Sequence, residues 1–367
     1  MATTAVLRPQ LRTSYRQERS ALASRAGRTR LAVVAGLFLA LPYLVGDYSL
    51  DLVNLVAVAA VASIGVNILT GYAGQLSVGH AAFAAVGAYG AVNLVGRAGL
   101  PLWAAVVVAA LIAGCASLVF GLVAVRIRGL YLAIATLAAQ FVIVWVLNHW
   151  EWVTGGTQVA ASIPAERIGP IDTGTVQGRY YLIVGFLLIC VVFAANLLRS
   201  RCGRAFVAIR DHSLAAAGSG ISVFRYTLLA FFVSSCYAGL AGALFAVNAG
   251  AITPEFFPLS LSISYIAMII IGGVGTIAGG IWGAAFVTLL PVFLRDGLPV
   301  LGIELTSELV ANLQLVLFGA AILVFLVAEP GGLVQLARRL RDRVARWPYR
   351  TPAPDAYLLD GNERGSR

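Results

Sequence analysis

The sequence predicts an all-α polytopic membrane protein, and three observations carry that prediction. Hydrophobic residues make up 60% of the 367 positions and charged residues 11%, with a mean hydropathy of +0.88. A core built from such a chain is bounded by lipid rather than by water. Apolar runs approaching the roughly 20 residues that cross a hydrocarbon core recur between residues 31 and 328. Cations cluster between those runs instead of interrupting them.

Residues 1–30 read as a cytoplasmic basic leader with seven arginines. The apolar run 31–46 follows this leader and is followed at once by further spans, so it reads as a retained helix and not a cleaved signal. Candidate spans continue at 50–70, 76–96, 101–124, 129–149, 180–198, 226–250, 261–273, 277–294 and 308–328. The count is about ten transmembrane helices; it falls to eight if 261–294, broken by Gly272, Gly273 and Gly275, is re-entrant. Residues 150–179 carry Gly155–Gly156, Ile163–Pro164 and Gly169–Pro170, turn-forming pairs suited to an irregular outer cap. The organisation expected is a leader (1–30), a transmembrane domain (31–328) with a cytoplasmic loop at 199–225, and a cytoplasmic basic tail (329–367).

All 26 basic residues are arginines, seven before residue 31 and eight after residue 337. Arg126 and Arg128 share one connection; Arg199, Arg201, Arg204, Arg210 and Arg225 share another. Arginine-rich connections stay on the cytoplasmic side of a membrane. Four, two and four candidate crossings separate successive clusters, which places both termini in the cytoplasm. The net charge of +10 then anchors the chain against anionic lipid headgroups, and no nucleic acid is expected as a partner. The chain has no lysine, so it lacks the Gly-Lys-Ser/Thr of a P-loop and cannot hydrolyse ATP through that motif. The four cysteines show neither CxxC nor metal-ligand spacing. No catalytic residue, metal or cofactor is expected.

Two glycine-rich patches interrupt the spans. GYAGQLSVGHAAFAAVGAYGA (71–91) holds Gly71, Gly74, Gly79 and Gly87, and GGVGTIAGGIWGAAF (272–286) repeats the theme. Small residues let helices approach closely, and tight packing alone is one reading of both patches. The other is a substrate path lined by broken helices, because backbone groups freed inside a membrane are tolerated only against protein or a watery cavity. On that reading Gly71, Gly74, Gln75, Ser77, Gly79, His80, Gly272, Gly273 and Gly275 border the path. For His80 an interhelical hydrogen bond is expected ahead of direct contact with a solute. Asn67, Gln140, Asn196 and Asn248 are assigned to packing and helix pairing. The spans hold essentially no carboxylate or arginine, Asp51 lying at a boundary. Ion-driven carriers usually need such groups, so the energy for transport is expected from another protein.

The segment 199–225 (RSRCGRAFVAIRDHSLAAAGSGISVFR) supplies a contact for that protein. Phe206 and Ile209 fall three apart, on one helical face. Asp211 or Ser213 can cap the short run through Ala215, Ala216 and Ala217, and Gly218 and Gly220 can end it. A loop that only set topology would need none of this order.

Taken together, 71–91, RGLYLAIATLA (128–138), 203–246, SISYIAMIIIGGVGTIAGGIWGAA (262–285) and EPGGLVQL (329–336) resemble the permeases of branched-chain amino-acid ABC importers, the LivM-type subunit. The resemblance covers roughly residues 50–336. It implies a bacterial inner-membrane protein in a heterodimer with a second, LivH-like permease. Two cytoplasmic ABC ATPase subunits and an extracytoplasmic solute-binding protein complete the implied assembly. Segment 204–220 would be the coupling helix that enters a groove on the ATPase, through Arg204, Phe206, Ile209, Arg210, Asp211, Ala215, Ala216 and Gly220. Leu214 stands where the importer coupling pattern carries a glutamate, which leaves Arg210 and Asp211 as its polar contacts. The implied solutes are branched-chain amino acids or similar small polar molecules. A stand-alone secondary transporter or channel is the rival class, and it would need no ATPase.

Overall fold

A computed structural model describes residues 40–124, 130–154, 161–164, 166–168, 171–297, eight positions between 313 and 324, and 331–345. The predicted spans 31–46 and 308–328, the leader, Arg126, Arg128 and much of the tail fall wholly or mostly outside these residues. The chain divides into two compact units, Met1–Leu50 and Asp51–Arg367. Of the first, residues 40–44 are helical and the first long helix starts at Asp47.

The elements in order are α1 (Asp47–Val66), continued by a π-helical turn (Asn67–Tyr72), α2 (His80–Gly96), α3 (Leu102–Ala124) and α4 (Leu130–His149). After a helical turn at Glu151–Thr154 come the short strands β1 (Ala161–Ser162), β2 (Arg167–Ile168) and β3 (Ile171–Asp172). There follow α5 (Val176–Arg199), α6 (Arg201–Gly218), α7 (Val223–Ala249), β4 (Ala251–Ile252), a 3₁₀ turn (Pro254–Phe256) and α8 (Leu259–Gly272). α9 (Ile277–Val292) passes Pro291 into a second π turn (Phe293–Gly297), and α10 spans Gly332–Ala345. Among the described residues, seven helices are long and apolar enough to cross a membrane, and α2, with 17 residues, is a shorter apolar one. The stretch predicted as either two spans or a hairpin forms two candidate spans, Pro254–Gly272 and Ile277–Asp296.

Local chemistry sets the ends. Thr175, Ser200, Ser222 and Thr276 cap α5, α6, α7 and α9, each hydroxyl accepting a backbone N–H of the first turn. Within the predicted cap at 150–179, the described residues include a helical turn and three short strands. β1 pairs antiparallel with β4 (Ala161 opposite Ile252), and β2 pairs with β3 (Arg167 opposite Asp172), so the α-helical fold carries two minimal ladders.

Among the described helices, α2, α3 and α7 share the most extensive contacts. The reason is their missing side chains: a Cβ on Gly87 of α2 would strike the Gly239 backbone of α7, and one on Gly242 would strike the Ala84 carbonyl. Lipid offers helices no hydrophobic drive to associate, so backbone approach of this kind supplies the dispersion contacts instead. α7 is 72% buried across its span and α5 only 28%. Ile189, Val192 and Phe193 of α5, like Ile134, Phe141 and Trp145 of α4, turn outward from the packed helices.

Candidate functional site

The first glycine patch is a true break. α1 loosens into the π turn, the chain runs without helix through 73–79, and α2 begins at His80. The new helix starts beside Ser234, which lies about 16 Å along the 27-residue α7, so its first amides open in the interior. Gly79 offers no side-chain cap. The amides are satisfied from other helices: Val78 N–H donates to Thr136 Oγ1 (2.9 Å), Ala81 N–H to Ser262 Oγ (2.8 Å) and Ala82 N–H to Gln140 Oε1 (2.8 Å). Gln140 also accepts from Ser262 Oγ and donates to the Phe257 carbonyl. This is what a helix end away from water requires.

His80, 1% exposed, meets Ser234 Oγ at 2.7 Å through Nε2. Ser234 gives its own proton to the Gly65 carbonyl (2.7 Å), so Nε2–H of His80 is the donor. The interhelical bond expected of His80 is present. Ser77 is equally buried, while Gln75 curls back onto the Ala73 carbonyl (3.3 Å).

The second break meets the first. Asn67 holds both, its Nδ2 donating to the Thr276 carbonyl (2.6 Å) and its Oδ1 accepting the Gly275 N–H (2.8 Å). A Cβ on Gly71 would lie 2.6 Å from the Gly275 nitrogen. Gly272 packs against Gly279 and Gly283 of α9, and Gly273 against Gly331 and Gly332 at the start of α10.

α6 lies against this junction. Its Nη1 of Arg210 donates to the Gly71 carbonyl (2.8 Å), while Nε and Nη2 hold Asp211 Oδ1 at 2.9 Å. Gly74 has φ +69°, and a Cβ there would lie 2.7 Å from Arg210 Cγ. The helix bends at His212 (φ −153°, ψ 91°), separating an Arg-bearing half from the Ala-rich turn. That turn ends as predicted: Ile221 N–H reaches the Ala216 carbonyl, Gly220 N–H the Ala217 carbonyl, and Gly220 takes φ +82°.

Phe206 and Ile209 do share a face, and it is the inward one: they are 0% and 5% exposed, with Phe206 edge-on to Tyr226 at 6.4 Å. Ala216 is buried as well. The open face carries Arg204, Asp211, Leu214 (79% exposed), Ala215, Ala217, Gly218 and Gly220. Arg210 is exposed too, but its Nη1 reaches back to the junction. Phe206, Ile209, Ala216 and Arg210 therefore hold the helix in place, and the remaining residues are exposed.

A family model described as the permease component of branched-chain amino acid transport systems matches residues 48–326. That is well over half of the chain, and it takes in both breaks and α6.

The chain belongs to this family.

The permease is 28% identical over 337 residues to the high-affinity branched-chain amino acid transport system permease protein LivM of Escherichia coli, covering 85% of this chain and 76% of that protein. Against LivM of Salmonella typhimurium it is 28% identical over 321 residues, covering 81% of this chain and 72% of that protein. The autoinducer 2 import system permease protein LsrC of Klebsiella pneumoniae is 33% identical over 119 residues, 30% of this chain and 34% of that protein. No solved structure matches the permease.

Sequence reading of the permease passed over Thr136, Ser234 and Ser262, the hydroxyls that receive α2. Their signal is present: each is a hydroxyl within an apolar run, and inside a membrane such a group needs a partner. Thr136, Ser234 and Ser262 also stand within the stretches 128–138, 203–246 and 262–285 that carry the family resemblance.

Proposed function

We propose that this permease subunit carries branched-chain amino acids or similar small polar solutes into a bacterial cell, driven by two ABC ATPase subunits that dock on the open face of α6. A second, LivH-like permease and an extracytoplasmic binding protein complete the assembly. About ten crossings, counting 31–46 and 308–328, put both termini, the leader (1–30), the 199–225 loop and the tail (329–367) in the cytoplasm. The residues bordering the path are Gly71, Gly74, Gln75, Ser77, Gly79 and His80 of the first break and Gly272, Gly273 and Gly275 of the second.

The observation that supports this reading most is the bond from Arg210 to the Gly71 carbonyl. It links a helix with one open face directly to the end of a broken span. A partner that binds one position of α6 more tightly than another shifts the breaks with it, and differential affinity of this kind is all that energetic coupling requires. The chain brings no P-loop of its own; its part is mechanical.

Gly218→Trp tests the docking face, since nothing lies within 4 Å of a Cβ at Gly218. Gly220 is the poorer probe, because its positive φ strains any replacement. In proteoliposomes holding the purified complex, Gly218→Trp is expected to abolish ATP-driven uptake and release the ATPase, while the permease still inserts. Uptake and ATPase retention at wild-type levels would sink the docking assignment. Uptake that persists without ATPase and follows an ion gradient would favour a secondary transporter.

A further inference from the structure

α10 starts on the backbone of the second break. A Cβ on Gly332 would strike Gly272 and Gly273, so the first turn of α10 is fixed against the end of α8. Val334 is buried there, while Leu336 (37% exposed) and Leu340 (53%) lie open. By helical spacing Leu333, Leu336, Ala337, Leu340 and Val344 form one stripe of α10. The rest of this 14-residue helix carries four arginines, Arg338, Arg339, Arg341 and Arg343, against the single carboxylate of Asp342. A helix with an open apolar stripe and a cationic remainder suits the headgroup layer of a membrane, lying along its surface.

The stripe leads onto α9. Leu333 lines a groove of about 480 Å³ together with Trp282, Phe286, Leu289, Leu290 and Phe293. From Trp282 to Phe293 the groove follows the helix for about 16 Å, close to half of the roughly 30 Å hydrocarbon core. It opens outward from the packed helices: Trp282 is 62% exposed, Leu289 40% and Phe293 64%. All of these side chains are apolar, whereas a pocket for a polar solute carries a few placed polar groups to orient it. A groove that is apolar for one leaflet's depth, and that meets a cationic helix at Leu333, is complementary to an amphiphile with an anionic head.

The geometry points to a binding site for one anionic phospholipid. An acyl chain lies in the groove along α9, and the phosphate is held by the arginines of α10 in the same leaflet. Guanidinium groups suit that role, because their paired donors match two phosphate oxygens. The groove and the bilayer are equally apolar, so the chain gains position there and the arginines supply the preference for a negative head. This differs from the diffuse attraction of basic connections to an anionic surface, since a groove fixes where the lipid sits.

The test uses the full-length permease in phosphatidylcholine nanodiscs, titrated with dibrominated phosphatidylglycerol or dibrominated phosphatidylcholine. Brominated chains quench tryptophan fluorescence only at close contact. Phosphatidylglycerol is expected to reach half-maximal quenching at a mole fraction about fivefold or more below phosphatidylcholine, the worth of one arginine near an anionic headgroup. Trp282→Phe is expected to abolish the difference between the lipids, which assigns it to the groove. Replacing all four arginines (Arg338→Gln, Arg339→Gln, Arg341→Gln and Arg343→Gln) is expected to remove the preference while phosphatidylcholine quenches as before. Should that variant insert poorly, Ala285→Phe decides: Ala285 lines the same groove, so the new ring fills it and leaves α10 unchanged. Quenching by phosphatidylglycerol is then expected to fall to the phosphatidylcholine level. The site is overturned by equal quenching in the wild type, or by a phosphatidylglycerol preference that survives Trp282→Phe, the arginine replacements or Ala285→Phe. No ATPase or solute enters the measurement, so its outcome is independent of the importer reading.

Discussion

The guanidinium of Arg210 and the carbonyl of Gly71, 139 residues apart in sequence, meet at 2.8 Å. The same arginine holds Asp211 through its other two nitrogens, so one side chain joins the bend of α6 to the end of α1. Three donors in a rigid plane make this possible, and a lysine ammonium lacks that geometry.

Arg210→Ala is expected to leave the assembled complex intact and to lower ATP-driven uptake by about tenfold, while ATP hydrolysis continues. Arg210→Lys is expected to recover only part of the loss. Parallel uptake and hydrolysis rates check this; uptake and hydrolysis falling together would place Arg210 in ATPase docking instead.

Gly74→Ala probes the same contact from the other side. At φ +69° an L-residue costs about 1–2 kcal/mol, and the new Cβ crowds Arg210 Cγ. Lower thermal stability in detergent is expected, with loss of uptake. Gly218→Ala, at a helical position with open space, is the control and is expected to be neutral or slightly stabilising.

Gln140→Leu strands three groups at once: the Ala82 N–H, the Ser262 hydroxyl and the Phe257 carbonyl. Unsatisfied buried groups cost about 1–3 kcal/mol each. A clear drop in thermal stability is expected, and it should exceed the effect of Ser264→Ala, an exposed hydroxyl bonded only to its own helix.

Asn67→Leu removes both bonds between the breaks, to Thr276 and Gly275. Cysteine crosslinking between positions 70 and 276 should become less efficient in the variant, and uptake should fall. Unchanged crosslinking would mean that glycine packing alone keeps the breaks together.

Much of this protein was legible along the chain. Hydropathy marked the helices between residues 47 and 297 to within a few residues, and the polar run 199–225 announced α6 with its glycine-ended turn, because each is set by neighbours within a turn or two. Where the reading slipped, a distant residue decided. Arg179 looked like part of an outer loop, yet α5 begins at Val176, capped by Thr175, and carries it toward Asn248. Residues 76–79 looked like the start of a span, yet α2 starts only at His80, where hydroxyls and an amide from α4 and α8 receive its first turn. Phe206 and Ile209 were placed on one face by their spacing, but spacing cannot say which way that face turns.

Composition, arginine placement and glycine spacing by themselves determined a lipid-bounded helical bundle with two glycine-rich interruptions and one polar helix, since transfer free energy and backbone freedom belong to each residue separately. Only the tertiary structure decided that Asn67 would bind Gly275 and Thr276, and that Arg210 would reach Gly71. Those bonds join residues 139 to 209 positions apart, and inside a membrane a freed backbone group must find its partner wherever packing brings one within hydrogen-bond range.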